Sequence, residues 1–303
     1  MHTKPLTPSD LHILTQVFDP ETAPPNPNKP AREQPLIDRS LPSEPSYPAS
    51  KDSAAILARL RAREKEAVGL IEAYEGRLQT PEAASVSLDG EEGRRRRKKD
   101  VYEASLGMLD RLVEEGPEYA SARNNRAQVR RWGVGGDCGL VVRGAREAGV
   151  VGGDAGWHAD AKDGARDWRE EGTAVLADLQ TAITLASPAS PGEAVSPAQG
   201  RLLAQAYTQL GAVYHQAGQD MLEAAAVPAK AEVMVTVAVD SLRNWSAEDF
   251  EEAAARCFRL GGQYGNEVAK ALAVQMNPYA RLCGRIVEEA LRKESAGVGW
   301  GSA

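Results

Sequence analysis

The sequence predicts an all-α fold of stacked helix pairs, and three observations carry that prediction. Aromatic residues make up only 5% of the chain while alanine is abundant, a composition suited to helix-on-helix packing rather than to a sandwich or barrel rich in Val, Ile, Tyr and Phe. Apolar residues recur every three or four positions in successive stretches closed by Gly or Pro. The segment Tyr207-x2-Leu210-Gly211-x2-Tyr214-x3-Gly218 places large residues on one helical side, with a glycine where a second helix crosses closely.

With 303 residues, 42% of them apolar, the chain is long enough to bury a sizeable core. Its formal charge of −7 argues against general nucleic-acid binding, which needs a net basic surface to neutralise phosphates. Cys138, Cys257 and Cys283 are odd in number and show no C-x2-C spacing, so neither a disulfide framework nor a zinc site is expected. The sequence contains no membrane-length apolar run and no signal core; the expected location is the cytosol, with the nucleus as a second possibility.

Thr7 to Phe18 reads as a short amphipathic helix with Leu11, Leu14, Val17 and Phe18 on one side. Nine prolines between Pro20 and Ser50 then deny the backbone regular hydrogen bonds, so residues 1–50 form a short helix and a linker ahead of a domain at 51–295. A first pair, about 52–117, joins Ala55–Gly76 to a helix that starts at Val101 and stops at Gly116-Pro117, with 79–99 as a break. A second, about 118–188, joins Tyr119–Trp132 to Arg166–Ala186 across a Gly-rich interval. The third, about 197–262, joins Pro197–Gly218 to Ala247–Leu260. Within it, Glu232–Asp240 is rich in Val but has no evident strand to pair with, so helix or loop is expected. A capping pair at about 265–293 follows, its second helix started by Asn277-Pro278, because a stack of pairs otherwise exposes an apolar end.

The Tyr207–Gly218 spacing fits the first helix of a tetratricopeptide repeat, making the expected architecture a solenoid of three such pairs with a C-terminal capping pair. The chain also resembles the tetratricopeptide repeat protein 36 family. The residues that carry the resemblance are Ser121-Ala122-Arg123-Asn124-Asn125-Arg126-Ala127-Gln128, Leu176 through Ile183, Asn277-Pro278-Tyr279-Ala280-Arg281-Leu282-Cys283 and the N-terminal Leu14-x3-Phe18-Asp19-Pro20-x-Thr22. It covers roughly 7–22 and 52–293 and is interrupted by insertions at 79–99, 133–164 and 221–245. For animal members, the resemblance implies a role in tyrosine catabolism through contact with 4-hydroxyphenylpyruvate dioxygenase, and association with the seventy-kilodalton heat-shock chaperone.

In such a solenoid the first helices line a groove whose polar face receives a protein or peptide. Ser121, Asn124, Asn125, Gln128 and Arg131 share one face of the second pair's first helix, and Gln205, Gln209, Ala212 and Gln216 one face of the third's. Two readings of Asn124 and Asn125 stand: contact with a partner, or satisfying backbone groups between repeats. A clamp for a chaperone's terminal carboxylate is not expected. Asn125 matches one of its positions, but Glu66, Leu70, Gln205 and Gln209 stand where Lys, Asn, Lys and Arg belong.

The run Arg94-Arg95-Arg96-Arg97-Lys98-Lys99 reads as a solvated loop, with a nuclear-localisation or polyanion-binding patch as the competing reading. Gly133-x-Gly135-Gly136-x2-Gly139 lacks the strand and helix start of a phosphate loop, and His158 with Asp154, Asp160 and Asp163 lacks metal-ligand spacing. No nucleophile elbow, metalloprotease helix or Cys–His pairing is visible. The expectation is a non-catalytic adaptor without metal or cofactor; an enzymatic pocket built from the insertions is the competing class.

Overall fold

A computed structural model describes residues 37–41, 53–79, 90–133, 140–145, 168–190, 193–226, 233–276 and 292. Its elements in chain order are α1 (Ser53–Leu78), α2 (Gly90–Glu115), α3 (Ala120–Gly133), β1 (Val141–Ala145), α4 (Trp168–Ala186), α5 (Pro197–Ala226), β2 (Val233–Val237), α6 (Ala247–Gln263) and α7 (Glu267–Gln275). The protein is helical, as expected. The expected helices at Thr7–Phe18 and Asn277–Lys293 lie outside the described residues.

Helices pair in sequence order, α1 with α2, α3 with α4 and α5 with α6, while α7 packs on α6. The second helix of each of the first two pairs also packs on the next first helix, and α3 touches both α1 and α5. Leu60, Ala67, Tyr102, Leu106, Leu109 and Leu112 are fully buried in a core shared by α1, α2 and α3. A second core joins Val175 and Leu179 of α4, Val213 and Ala217 of α5, and Phe250, Ala254 and Phe258 of α6. The turns obey local chemistry. Ser246 caps α6 by accepting from Asp249 N while the Asp249 carboxylate accepts from Ser246 N, and Gly265 takes φ 96°, a left-handed turn that costs glycine nothing.

The glycine of the Tyr207–Gly218 spacing acts as expected. A Cβ at Gly211 would lie 2.9 Å from two ring carbons of Phe258, itself 1% exposed. Alanine ordinarily improves a helix by about 1 kcal/mol over glycine. Here the clash should reverse that sign, so Gly211→Ala is expected to destabilise by about 1–3 kcal/mol in urea denaturation; a gain in stability would mean that the helices do not cross here. Tyr214 packs against Trp245 and Phe250 at ring distances of 5.6 and 6.3 Å, and Tyr207 stacks on Tyr264 at 6.2 Å.

Two expectations are corrected. Val233–Val237 is a strand, not helix or loop: it pairs antiparallel with β1, Val141 opposite Val237 and Ala145 opposite Val233. Its partner comes from the Gly-rich interval of the preceding pair, and Leu140, Val141, Val237 and Leu242 join the core around α5. Burial against a helix supplies what an isolated two-stranded ribbon lacks. The basic run is also not a loop, because α2 begins at Gly90 and carries Arg94–Lys99 in its first turns. Arg and Lys are strong helix formers, so the helix continues through the run without an apolar stripe.

Candidate partner-binding groove

Helices α1, α3 and α5 stand side by side, tied by polar side chains. The Asn125 amide donates to Glu64 Oε1 at 2.8 Å, and the Tyr119 hydroxyl donates to the other oxygen of the same carboxylate. On the opposite side of α3, Asn124 Oδ1 accepts from the Gln209 amide at 3.0 Å. Successive helix residues are rotated by about 100°, and that rotation sends these two neighbouring asparagines to different helices.

The expected site residues therefore separate into two kinds. Asn124 is 1% exposed and Asn125 half-buried, and both spend hydrogen bonds on side chains of neighbouring first helices rather than on backbone groups. Gln209 is half-buried, and its Oε1 has no partner among the described residues. Gln128 and Gln205 are exposed on α3 and α5, and Arg131 is half-buried one turn on from Gln128. The structure brings Asn124 to Gln209 but joins neither Gln128 nor Gln205 to the others by a described contact. In α1, Glu66 is exposed and Leu70 half-buried, and the acid nearest Asn125 is Glu64, of the wrong sign to help hold a carboxylate.

Sequence reasoning missed the layer behind this face. Arg126 grips Asp178 of α4 through two bonds of 2.8 and 2.6 Å and reaches Asp110 of α2 at 2.9 Å, while Arg130 binds Glu171 of α4 at 2.6 Å. Burial opposes the Arg126 charge, but the carboxylates of Asp178 and Asp110 outweigh it and raise the guanidinium pKa. The signal was present as Arg123, Arg126 and Arg130 on one helical side, facing Glu171 and Asp178 spaced seven apart on α4. At the C-terminal end of α3, Trp132 meets the edge of Tyr74 at 5.7 Å, donates to Glu75 at 2.7 Å and carries Lys98 Nζ 5.0 Å above its ring.

Among the described residues no group of three or more His, Cys, Asp or Glu side chains is placed to hold a metal, and no helix is long and apolar enough to cross a membrane. His158, Asp154, Asp160 and Asp163 lie outside the described residues, as does Gly135–Gly139. Burial pushes the Cys257 thiol up to about 12 and raises the phenols of Tyr207 and Tyr214. An exposed cysteine ionises near about 8.5, so on raising the pH the unfolded chain loses this proton first. Stability should be intact at neutral pH and fall between about pH 8.5 and 12. Urea midpoints at pH 7 and pH 10 check this; equal midpoints would contradict it, and Cys257→Ala should reduce the difference.

No family model matches the chain, and no solved structure matches it. One curated protein, the L-tyrosine degradation gene cluster protein hmgX of Aspergillus fumigatus, is 33% identical over 294 residues, 97% of this chain and 94% of its own length. The chain belongs to the hmgX family. The alignment runs through all three helix pairs and the ribbon, so the insertions at 133–164 and 221–245 sit within the span that the two proteins share.

Proposed function

We propose that the protein is a non-catalytic adaptor of tyrosine degradation, a tetratricopeptide-repeat solenoid whose first helices α1, α3 and α5 hold a protein partner. The observation that carries this reading is the relative's assignment to an L-tyrosine degradation gene cluster at near full-length coverage. The helical architecture supports it in kind. Pairs that pack in sequence order leave Gln128 of α3 and Gln205 of α5 exposed. The resemblance to the tetratricopeptide repeat protein 36 family makes 4-hydroxyphenylpyruvate dioxygenase the partner of choice.

Purified dioxygenase titrated into the full chain tests this proposal. Saturable binding that weakens roughly tenfold or more in Gln128→Asp/Gln205→Asp is expected, since the exposed amides then present charge to the partner. No binding, or binding indifferent to both changes, would overturn it. A seventy-kilodalton chaperone tail peptide serves as comparison. Asn125 already donates to the acidic Glu64, and Glu66, Leu70, Gln205 and Gln209 stand where the clamp has Lys, Asn, Lys and Arg, so tight binding of that peptide would contradict the groove chemistry proposed here.

A further inference from the structure

We propose that the N-terminal half of α2 is a second docking surface, fitted to an acidic polypeptide segment and separate from the groove. Six of the 36 Lys and Arg residues of a chain with net charge −7 fall in the unbroken run Arg94–Lys99. Arg94, Arg95, Arg96 and Arg97 are exposed, and Lys98 and Lys99 half-buried. Glu91 and Glu92 precede the run and Asp100 follows it, three acidic residues against six basic ones.

Contacts anchor the run at Arg94 and Lys98. Lys98 lies over Trp132, the Tyr74 hydroxyl donates to the Arg94 carbonyl at 3.2 Å, and Tyr74 and Glu75 hold Trp132 in turn. These contacts fix the register between α2 and the ends of α1 and α3. Lys98 stands beside the last turn of α3, so the eight residues of α2 that precede it continue about 12 Å beyond that helix at roughly 1.5 Å per residue. The last turn of α1 adds Arg77 nearby.

The chemistry of this tip selects among anions. Guanidinium groups present paired donors that match a carboxylate, and the positive end of the α2 dipole adds to their field. A nucleic acid would gain from aromatic rings to stack on, but Trp132 and Tyr74 are committed to packing and to Lys98, and a longer polyanion would run onto an acidic molecule. A lipid surface would call for apolar side chains to insert, and Leu78 is the one large exposed apolar residue described at this end. A short acidic segment neutralises the tip without reaching the rest of the surface.

The test uses the full chain and a short fluorescein-labelled peptide of alternating Glu and Ser, read by anisotropy at low and physiological salt. Binding is expected, weaker at higher salt, and roughly tenfold weaker in Arg95→Glu/Arg96→Glu, whose exposed positions leave the fold intact by circular dichroism. Gln128→Asp/Gln205→Asp should leave it unchanged, which separates failure of this surface from failure of the groove. Absence of peptide binding, an unchanged affinity in the arginine variant, or tighter binding to single-stranded DNA or to phosphatidylserine vesicles would each overturn the proposal.

Discussion

Asp178→Ala is expected to lower the free energy of unfolding by about 3–5 kcal/mol, among the largest single-residue losses in the protein. The Asp178 side chain is 4% exposed and Arg126 17%, and the two share the doubly bonded contact that joins the second helix pair across α3 and α4. Removing the carboxylate leaves the guanidinium in a low-dielectric layer with Asp110, itself 35% exposed, as its remaining partner. The cost is that of a stranded charge rather than of a lost bond. A companion variant distinguishes the two: Arg126→Met/Asp178→Leu removes both charges and should recover most of the stability. Denaturant midpoints of the two variants measure this, and a double variant no better than the single one would show that the ion pair itself, and not the orphaned charge, sets the loss.

Phe250→Ala should cost a comparable amount, about 3–5 kcal/mol, through the cavity it leaves. The ring is fully buried, lies 5.1 Å from Trp245 and 6.3 Å from Tyr214, and sits in the core that also takes in Leu140, Val141 and Val237 of the ribbon region. The loss should therefore reach beyond α6. Hydrogen exchange is expected to accelerate in both strands as well as at the α5–α6 contact, whereas exchange confined to α6 would mean that the ribbon holds without this core.

What was legible in the sequence follows from how locally each interaction is encoded. Helix α5 could be placed because Tyr207, Leu210, Gly211 and Tyr214 record its contacts within two turns, and the α2–α3 stop at Gly116-Pro117 is equally local. Periodicity starts α2 only at Val101 because Arg94–Lys99 has no apolar stripe, although Tyr74 of α1 and Trp132 of α3 reach the Arg94 carbonyl and Lys98. The ribbon was invisible for the opposite reason: Val233–Val237 reads as a strand only once Val141–Ala145, nearly a hundred residues earlier, is known to lie opposite.

The candidate site was half legible. Periodicity put Asn124, Asn125, Gln128 and Arg131 on one broad face of α3, and exposure leaves Gln128 there. It could not resolve that Asn124 turns toward α5 and Asn125 toward α1, because one helical step decides which neighbour an amide meets. Arginines 126 and 130 went unread because their partners sit on α2 and α4, and only the packed pairs bring three helices' charges together.

Photo-crosslinking to purified 4-hydroxyphenylpyruvate dioxygenase tests the groove most directly, with the reactive side chain placed in turn at Gln128, Gln205 and the exposed Arg256 of α6. Crosslinks from Gln128 and Gln205 with none from Arg256 are the predicted result. Crosslinks from Arg256 alone, or none from any position, would contradict it.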